Sequence, residues 1–259
     1  MLKNKRHSEI LEILKKQSFA TVSELAESLY SSMPTVRRDL SALEESGYVK
    51  RCHGGAMILD GNTNPPVDFR RERHVQEKLK MCRAASTLIS DGETLFLDAS
   101  TSVFHISDFI EKDQGVTVIT NGIPIATKLA KKGITVYATG GRLLKDSLAF
   151  VGISAENTAS SYNVDTMFFS VASLSADGML SDWSEEETML RREALKNARK
   201  RVFLCDFSKI NTKSTFKLFS LSEIDFFITD RKAPDDMIES YRLVELSSTP
   251  AYIYSVGKK

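Results

Sequence analysis

Two groups of residues in this sequence could do chemistry. The first is the adjacent pair Arg37-Arg38, followed closely by Lys50, Arg51 and His53 beside Gly54-Gly55. A guanidinium can pair with both acceptors of a guanine edge or grip a phosphate, so arginines on an open helix face can read nucleic acid. The second group lies further along: Asp98-Ala99-Ser100-Thr101-Ser102, Thr120-Asn121-Gly122, Thr139-Gly140-Gly141-Arg142 and Cys205-Asp206-Phe207-Ser208-Lys209. Hydroxyls, backbone N–H groups and an ammonium bind anions, phosphate above all. Asp98 and Asp206 would accept hydrogen bonds from ligand hydroxyls. Each group also has a plainer explanation. Charged helix faces are usually only solvated, and Ser, Thr, Asn and Gly dominate turns everywhere. The elements that carry these residues have to decide.

Around the arginines, Val36, Leu40 and Leu43 recur at i, i+4, i+7 and make one apolar stripe. Thr35, Arg37, Arg38 and Ser41 fall away from it. Ser31 or Ser32 can cap this helix, Pro34 fits its first turn, and Gly47 stops it. Two helices precede it. One carries Ile10, Leu11, Ile13 and Leu14. The other opens with Thr21-Val22-Ser23-Glu24, which has capping-box spacing, and turns Leu25, Ala26 and Leu29 inward. Tyr30 to Pro34 is a tight turn, and Tyr48 to Ala56 is a short basic hairpin whose Gly54-Gly55 permits a sharp turn near a phosphate. Three short helices and such a hairpin predict a winged helix-turn-helix. Its expected DNA contacts are Ser32, Thr35, Arg37, Arg38, Ser41, Lys50, Arg51, His53 and Gly54, with Lys3, Lys5 and Arg6 adding local positive charge.

Asp60-Gly61-Asn62-Thr63-Asn64-Pro65-Pro66 is rich in turn formers. The expected plan is therefore a DNA-binding domain over 1–58, a linker over 59–68 and a second domain over 69–259. The second domain opens with a charged helix predicted over Phe69 to Ile89. Its Arg70-Arg71-Glu72-Arg73 start is open to three roles: DNA contact, solvation or domain coupling. Short apolar runs then alternate with helical segments, beginning at Thr94, Val116, Ile134, Met167, Val202 and Phe226. This alternation predicts an α/β fold with a doubly wound, mainly parallel sheet. Such sheets bind ligands outside the carboxyl ends of their strands, which is where the polar loops fall. The loop after the first run should open a helix near Val103 to Ile110. Ser184 and Glu187 have capping-box spacing, which explains that acidic group structurally and leaves a ligand role for one glutamate open.

The length of 259 residues suits two domains, and the net charge of +1 gives no global affinity for polyanions. The three cysteines, Cys52, Cys82 and Cys205, have neither metal nor pairing spacing and read as free thiols of a reducing cytosol. No signal peptide, membrane span, repeat, metal motif or cofactor motif is visible.

Leu2 to Ala56 resembles the DNA-binding domain of DeoR-type bacterial transcription regulators, through Thr35-Val36-Arg37-Arg38-Asp39-Leu40, Leu43-Glu44 with Gly47, and His53-Gly54-Gly55. The second domain resembles the same family's sensor domain, which is similar to the ribose-5-phosphate isomerase and CoA-transferase superfamily. The matching pieces are Asp98-x-Ser100-Thr101-Ser102, Thr120-Asn121, Thr139-Gly140-Gly141, Gly152, Glu187 and Asp206-x-Ser208-Lys209. The resemblance implies a cytoplasmic repressor of a carbohydrate-metabolism operon. Its partners would be double-stranded operator DNA, a small phosphorylated sugar effector and further copies of itself, as a dimer or tetramer. Ser100, Thr101 and Ser102 would hold the phosphate, with Asp98, Thr120, Asn121, Gly140, Gly141, Glu187, Asp206 and Lys209 as the remaining ligand-site residues. Many relatives carry Gly-Ala-Asp-Gly where this chain reads Ser170-Val171-Ala172-Ser173, so an acidic side chain used in catalysis by isomerase-like relatives is missing, unless Asp177 replaces it. An enzyme on this scaffold, or a second domain that only assembles, are the alternative readings.

Overall fold

The structure, a computed structural model, describes residues 3–17, 19–45, 48–52, 54–58 and 67–257. Two compact units divide between Arg70 and Arg71. Of the expected linker, 59–66 lies outside the described residues, while 67 and 68 begin a helix. Gly47 and His53 also lie outside them.

In the first unit the apolar stripes close one core. Ile10 and Leu14 of α1 (Lys3–Gln17) meet Leu25 of α2 (Val22–Ser28) and Val36, Leu40 and Leu43 of α3 (Met33–Glu45). Strands β1 (Phe19–Thr21), β2 (Val49–Cys52) and β3 (Gly55–Ile58) form an antiparallel sheet in the order β1-β3-β2 and add Ala20, Val49, Ala56 and Ile58 to that core. The capping box forms: Thr21 Oγ1 accepts from Glu24 N at 3.1 Å, and Glu24 Oε2 accepts from Thr21 N at 2.7 Å. The hairpin glycines do different jobs. Gly54 turns the chain at φ +79°, whereas a Cβ on Gly55 would stand 2.3 Å from the Ala20 carbonyl oxygen. Only glycine lets β3 lie that close to β1.

The charged helix expected over Phe69 to Ile89 is two helices, α4 (Val67–Glu72) and α5 (Val75–Ser86), separated at His74, whose φ is +53°. Arg70 to His74 offers no apolar side chain to hold a continuous helix there. The second unit then alternates: β4 (Thr94–Leu97), β5 (Thr117–Thr120), α6 (Ile123–Lys131), β6 (Thr135–Ala138), the hairpin β7 (Arg142–Leu144) and β8 (Ala149–Val151), α7 (Ile153–Ser160) and β9 (Val164–Phe169). It continues through β10 (Ser173–Leu174), β11 (Met179–Asp182), α8 (Glu185–Lys196), β12 (Ala198–Leu204), β13 (Phe216–Ser220), β14 (Phe226–Thr229), α9 (Asp235–Ser240), β15 (Val244–Ser247) and β16 (Tyr252–Ser255).

The main sheet has eight strands in the order β15-β16-β14-β12-β9-β4-β5-β6. The six from β14 to β6 are parallel; β16 and β15 run antiparallel at one edge. Numbered by appearance, the parallel strands read 3-2-1-4-5-6 from β6 to β14, the doubly wound order, with its switch point between β4 and β9. The pleat splits the core by parity. Phe96, Phe169 and Phe203 face α7 and α8. Leu95, Leu97, Phe168, Val202 and Leu204 face α5 and α6. On the first face Phe169, Phe203, Phe227 and Tyr254 stack across β9, β12, β14 and β16 with centroids 5.3, 5.8 and 6.0 Å apart. The offset ring contacts add about 0.5–1.5 kcal/mol each beyond burial.

Candidate functional site

In the first unit the exposed face of α3 matches the expected one. Arg37 and Arg38 are exposed, and neither guanidinium meets a protein acceptor among the described residues. Ser32 and Thr35 sit at the helix start with their hydroxyls 2.9 Å apart. Lys50 and Gly54 are exposed on the hairpin. Ser41 is committed inside the unit: its Oγ donates to the Arg37 carbonyl at 3.0 Å and accepts from Arg51 Nη1 at 2.7 Å. Glu44 Oε1 accepts from Arg51 N at 2.9 Å. Arg51 and Ser41 therefore fasten the hairpin to α3. Asp39 was missed as a site-shaping residue. It is buried, takes Arg6 Nε and Nη2 on its two oxygens, the latter at 2.9 Å, and meets His7 Nε2 at 3.3 Å. Burial works upward on its pKa, but Arg6 and His7 outweigh it and hold the carboxyl below its ordinary value. Asp39 so fixes the roll of α3 against α1, which decides where the arginines point.

In the second unit the polar loops gather at the carboxyl edge around the switch point. Asp98 follows β4 and is buried. Its Oδ1 accepts from Ser100 N at 3.1 Å and Ser100 Oγ at 2.5 Å; its Oδ2 accepts from Ser170 N at 3.3 Å and Arg191 Nε at 2.9 Å. Both oxygens are spent within the protein, so Asp98 shapes the loop. The expected helix over Val103 to Ile110 is instead a turn followed by a 3-10 helix, Phe104–Asp108, because the Ser100 carbonyl accepts from both Val103 N and Phe104 N, at 3.2 and 3.1 Å, and Ser107 Oγ donates to the Phe104 carbonyl. Within this turn the N–H groups of Thr101 and Ser102 have no protein acceptor among the described residues.

Two ammonium groups converge on the same turn. Lys209 Nζ donates to Ser102 Oγ at 3.0 Å and Ser170 Oγ at 2.9 Å, with Asp206 Oδ2 at 3.5 Å. Lys78 Nζ donates to Thr101 Oγ1 at 3.1 Å. Asp206 is buried and also accepts from Ser208 Oγ. Burial pushes its pKa up, but Lys209 and Ser208, with His74 and Lys78 beyond them, hold it below the ordinary carboxylate value. Two cations, three hydroxyls and two N–H groups at one strand end are equipped to bind an anion.

The other expected ligand residues support this turn. Thr120 is fully buried, with Oγ1 donating to the Leu97 carbonyl at 2.6 Å and accepting from Gly122 N at 3.0 Å. Asn121 accepts from Ala99 N at 2.9 Å and donates to the Phe150 carbonyl at 3.3 Å, tying the loop to β8. Gly140 and Gly141 turn at φ +64° and +101°, and a Cβ on Gly141 would stand 2.6 Å from the Val151 oxygen. At the start of α8 Ser184 Oγ accepts from Glu187 N at 3.2 Å, while the Glu187 carboxylate is buried and stabilises the charge of Arg191. Arg142 pairs with Glu186, joining the Gly141 loop to α8. Asp177 does not replace the missing acid: it is exposed, and Ser175 holds it in the β10–β11 turn.

Sequence reasoning missed Lys78, Ser170, Asp182 and Arg191. A signal existed for the two cations. Lys78 is spaced i, i+3, i+4, i+7 with the buried Met81, Cys82 and Ala85, and Arg191 stands three or four residues from the buried Glu187, Thr188, Ala194 and Leu195. A charge inside an apolar stripe is bound to a partner inside the fold. At the opposite, amino-terminal end of the strands lies a cavity of about 480 Å³. Its charges pair across strand ends, Arg199 with Asp165 at 3.3 Å and Lys200 with Glu93 at 3.5 Å, and brace the sheet. Among the described residues, no group of His, Cys, Asp and Glu could hold a metal, and no helix is long and apolar enough to cross a membrane.

Residues 6–61 match the DeoR-like helix-turn-helix domain and residues 73–231 the DeoR C-terminal sensor domain. The chain is 35% identical over 233 residues, 89% of its length and 90% of the relative's, to the HTH-type transcriptional repressor GlcR of Bacillus subtilis. It is 34% identical, over 88% of its length and 90% of the relative's, to the HTH-type transcriptional regulator GolR of Listeria innocua. With the glycerol-3-phosphate regulon repressor of Escherichia coli it shares 26% identity over 92% of its length and 95% of the relative's. The chain belongs to the DeoR family and is a DNA-binding transcriptional regulator.

Proposed function

We propose that this regulator represses a carbohydrate-metabolism operon, that its first unit reads double-stranded operator DNA through Arg37, Arg38, Lys50 and the start of α3, and that its second unit senses a small phosphorylated sugar. The observation that carries the sensing half is the convergence of Lys78 and Lys209 on the hydroxyls of Thr101 and Ser102, beside two N–H groups with no protein acceptor among the described residues. A phosphate would replace those hydroxyls as the acceptor of both ammonium groups. The name of the E. coli relative, a glycerol-3-phosphate regulon repressor, supports a phosphorylated effector. Asp98 and Asp206 are occupied by internal partners and Ala172 offers no acid, which supports sensing without turnover. Reading of paired half-sites calls for a homodimer or tetramer, and operator DNA places the protein in the cytoplasm.

Fluorescence anisotropy with DNA from upstream of its own gene, at two salt concentrations and with a panel of sugar phosphates and their parent sugars, tests the proposal. Tight, salt-sensitive binding shifted by one phosphorylated compound and not by its parent sugar is the expected result. DNA binding that no phosphosugar alters would overturn the sensing half; no DNA binding at either salt would overturn the reading half.

A further inference from the structure

One buried cation ties the anion-binding turn to a distant segment. Arg191 of α8 is 6% exposed. Its Nε donates to Asp98 Oδ2 at 2.9 Å, and its Nη1 donates to Asp182 Oδ2 at 3.1 Å. Each carboxylate uses its other oxygen to fix a backbone N–H: Asp98 Oδ1 that of Ser100 at 3.1 Å, Asp182 Oδ1 that of Trp183 at 2.7 Å. The path Ser100–Asp98–Arg191–Asp182–Trp183 is therefore continuous in hydrogen bonds and ion pairs. Trp183 directly precedes Ser184, the cap of α8, whose first turn also carries the Glu186 that pairs with Arg142.

We propose that Arg191 is a positioning residue that couples the conformation of the Ser100–Ser102 turn to the Trp183 segment and the start of α8. This rests on the reading of that turn as the effector site. A guanidinium held by two carboxylates cannot follow one without moving against the other, so a shift of Asp98 when the turn closes on an anion is passed to Asp182 and Trp183. Charge-assisted bonds between buried groups are short and directional, which makes this path stiffer than apolar packing.

Removing Arg191 itself strands two buried carboxylates, so the test leaves it in place. Trp183 is the sole tryptophan, and its emission reports its own segment. The emission maximum and acrylamide quenching are measured for the full chain without ligand as wild type, Asp98→Asn, Asp182→Asn and the double variant, with circular dichroism to verify folding. The expected result is that Asp98→Asn shifts Trp183 emission, and that the shift disappears when Asp182 is also Asn. Unchanged emission in Asp98→Asn, or a shift of equal size with and without Asp182, would overturn the proposal. Inorganic phosphate binding is followed separately by phosphorus NMR line broadening. Its absence would remove the effector-site reading while the four-protein cycle still decides whether Asp98 and Trp183 are coupled.

Discussion

The two units use arginine in opposite ways. On α3, Arg37 and Arg38 stand in solvent with no protein acceptor among the described residues, while the structural work falls to the neighbouring Asp39, which is buried against Arg6. At the carboxyl edge of the main sheet the order is reversed. Arg191 is buried between Asp98 and Asp182, and the groups gathered at the turn are lysines, hydroxyls and N–H groups. A surface that reads a long polyanion keeps its charges solvated and ready. A crevice that takes one small ligand must first have its loop shaped, and the shaping consumes the carboxylates. On the proposed reading, the same residue type is a reader in one unit and a brace in the other, and exposure distinguishes the two.

Substitutions should separate these roles by what they damage. The largest effect is expected from Arg191→Met, which leaves two buried carboxylates without their cation and should cost about 3–5 kcal/mol of stability, read as a fall in the urea midpoint. Arg37→Ala and Arg38→Ala should leave that midpoint almost unmoved. Each should instead weaken operator binding by about 1–3 kcal/mol, roughly fivefold to 150-fold, with a shallower salt dependence, in anisotropy titrations. If either exposed arginine proved to matter for stability, or Arg191 did not, the contrast between the units would collapse.

A smaller effect concerns pH. The Asp206 pKa lies below its ordinary value in the folded state, so its ionised form contributes stability that is fully present above the unfolded carboxylate pKa of about 3.9 and is lost as pH falls through the lower folded value. Thermal melts on the acid side of that point should therefore show wild type losing more stability per pH step than Asp206→Asn. Equal slopes would mean that Lys209 and Ser208 do not hold the carboxylate as described.

Much of this was legible in the sequence, and the failures have a common cause. The stripe Val36, Leu40, Leu43 and the Thr21–Glu24 box specify their helices through local spacing and formed as expected. The six parallel strands were legible as apolar runs: five are largely buried, where a strand covered on both faces is apolar throughout, and the exposed edge strand β6 still carries Val136 and Tyr137. The hairpin of β7 and β8 and the antiparallel strands β15 and β16 were not; β15 is exposed at Val244, Glu245 and Leu246 and carries no continuous apolar signal. For the candidate site, sequence located the loops but assigned Asp98 and Asp206 to the ligand. Asp206 has its partner Lys209 three residues along in the same turn, but Arg191, the partner of Asp98, lies 93 residues away on an element that only the fold brings near. Asp39, Lys78 and Arg191 share a feature that sequence does show: each is a charge spaced at three or four residues from buried apolar positions of its own helix.

On the proposed reading, the turn holding Thr101 and Ser102 receives an anion through Lys78 and Lys209. The most direct test of that reading is operator anisotropy on wild type, Lys78→Met and Lys209→Met, each titrated with the phosphosugar that shifts the wild-type curve. Each lost charge-assisted bond is worth about 1.5–3 kcal/mol, so each variant should need roughly ten times more effector or above, while its DNA affinity without effector stays at the wild-type value. Variants that respond at wild-type effector concentrations would contradict the account.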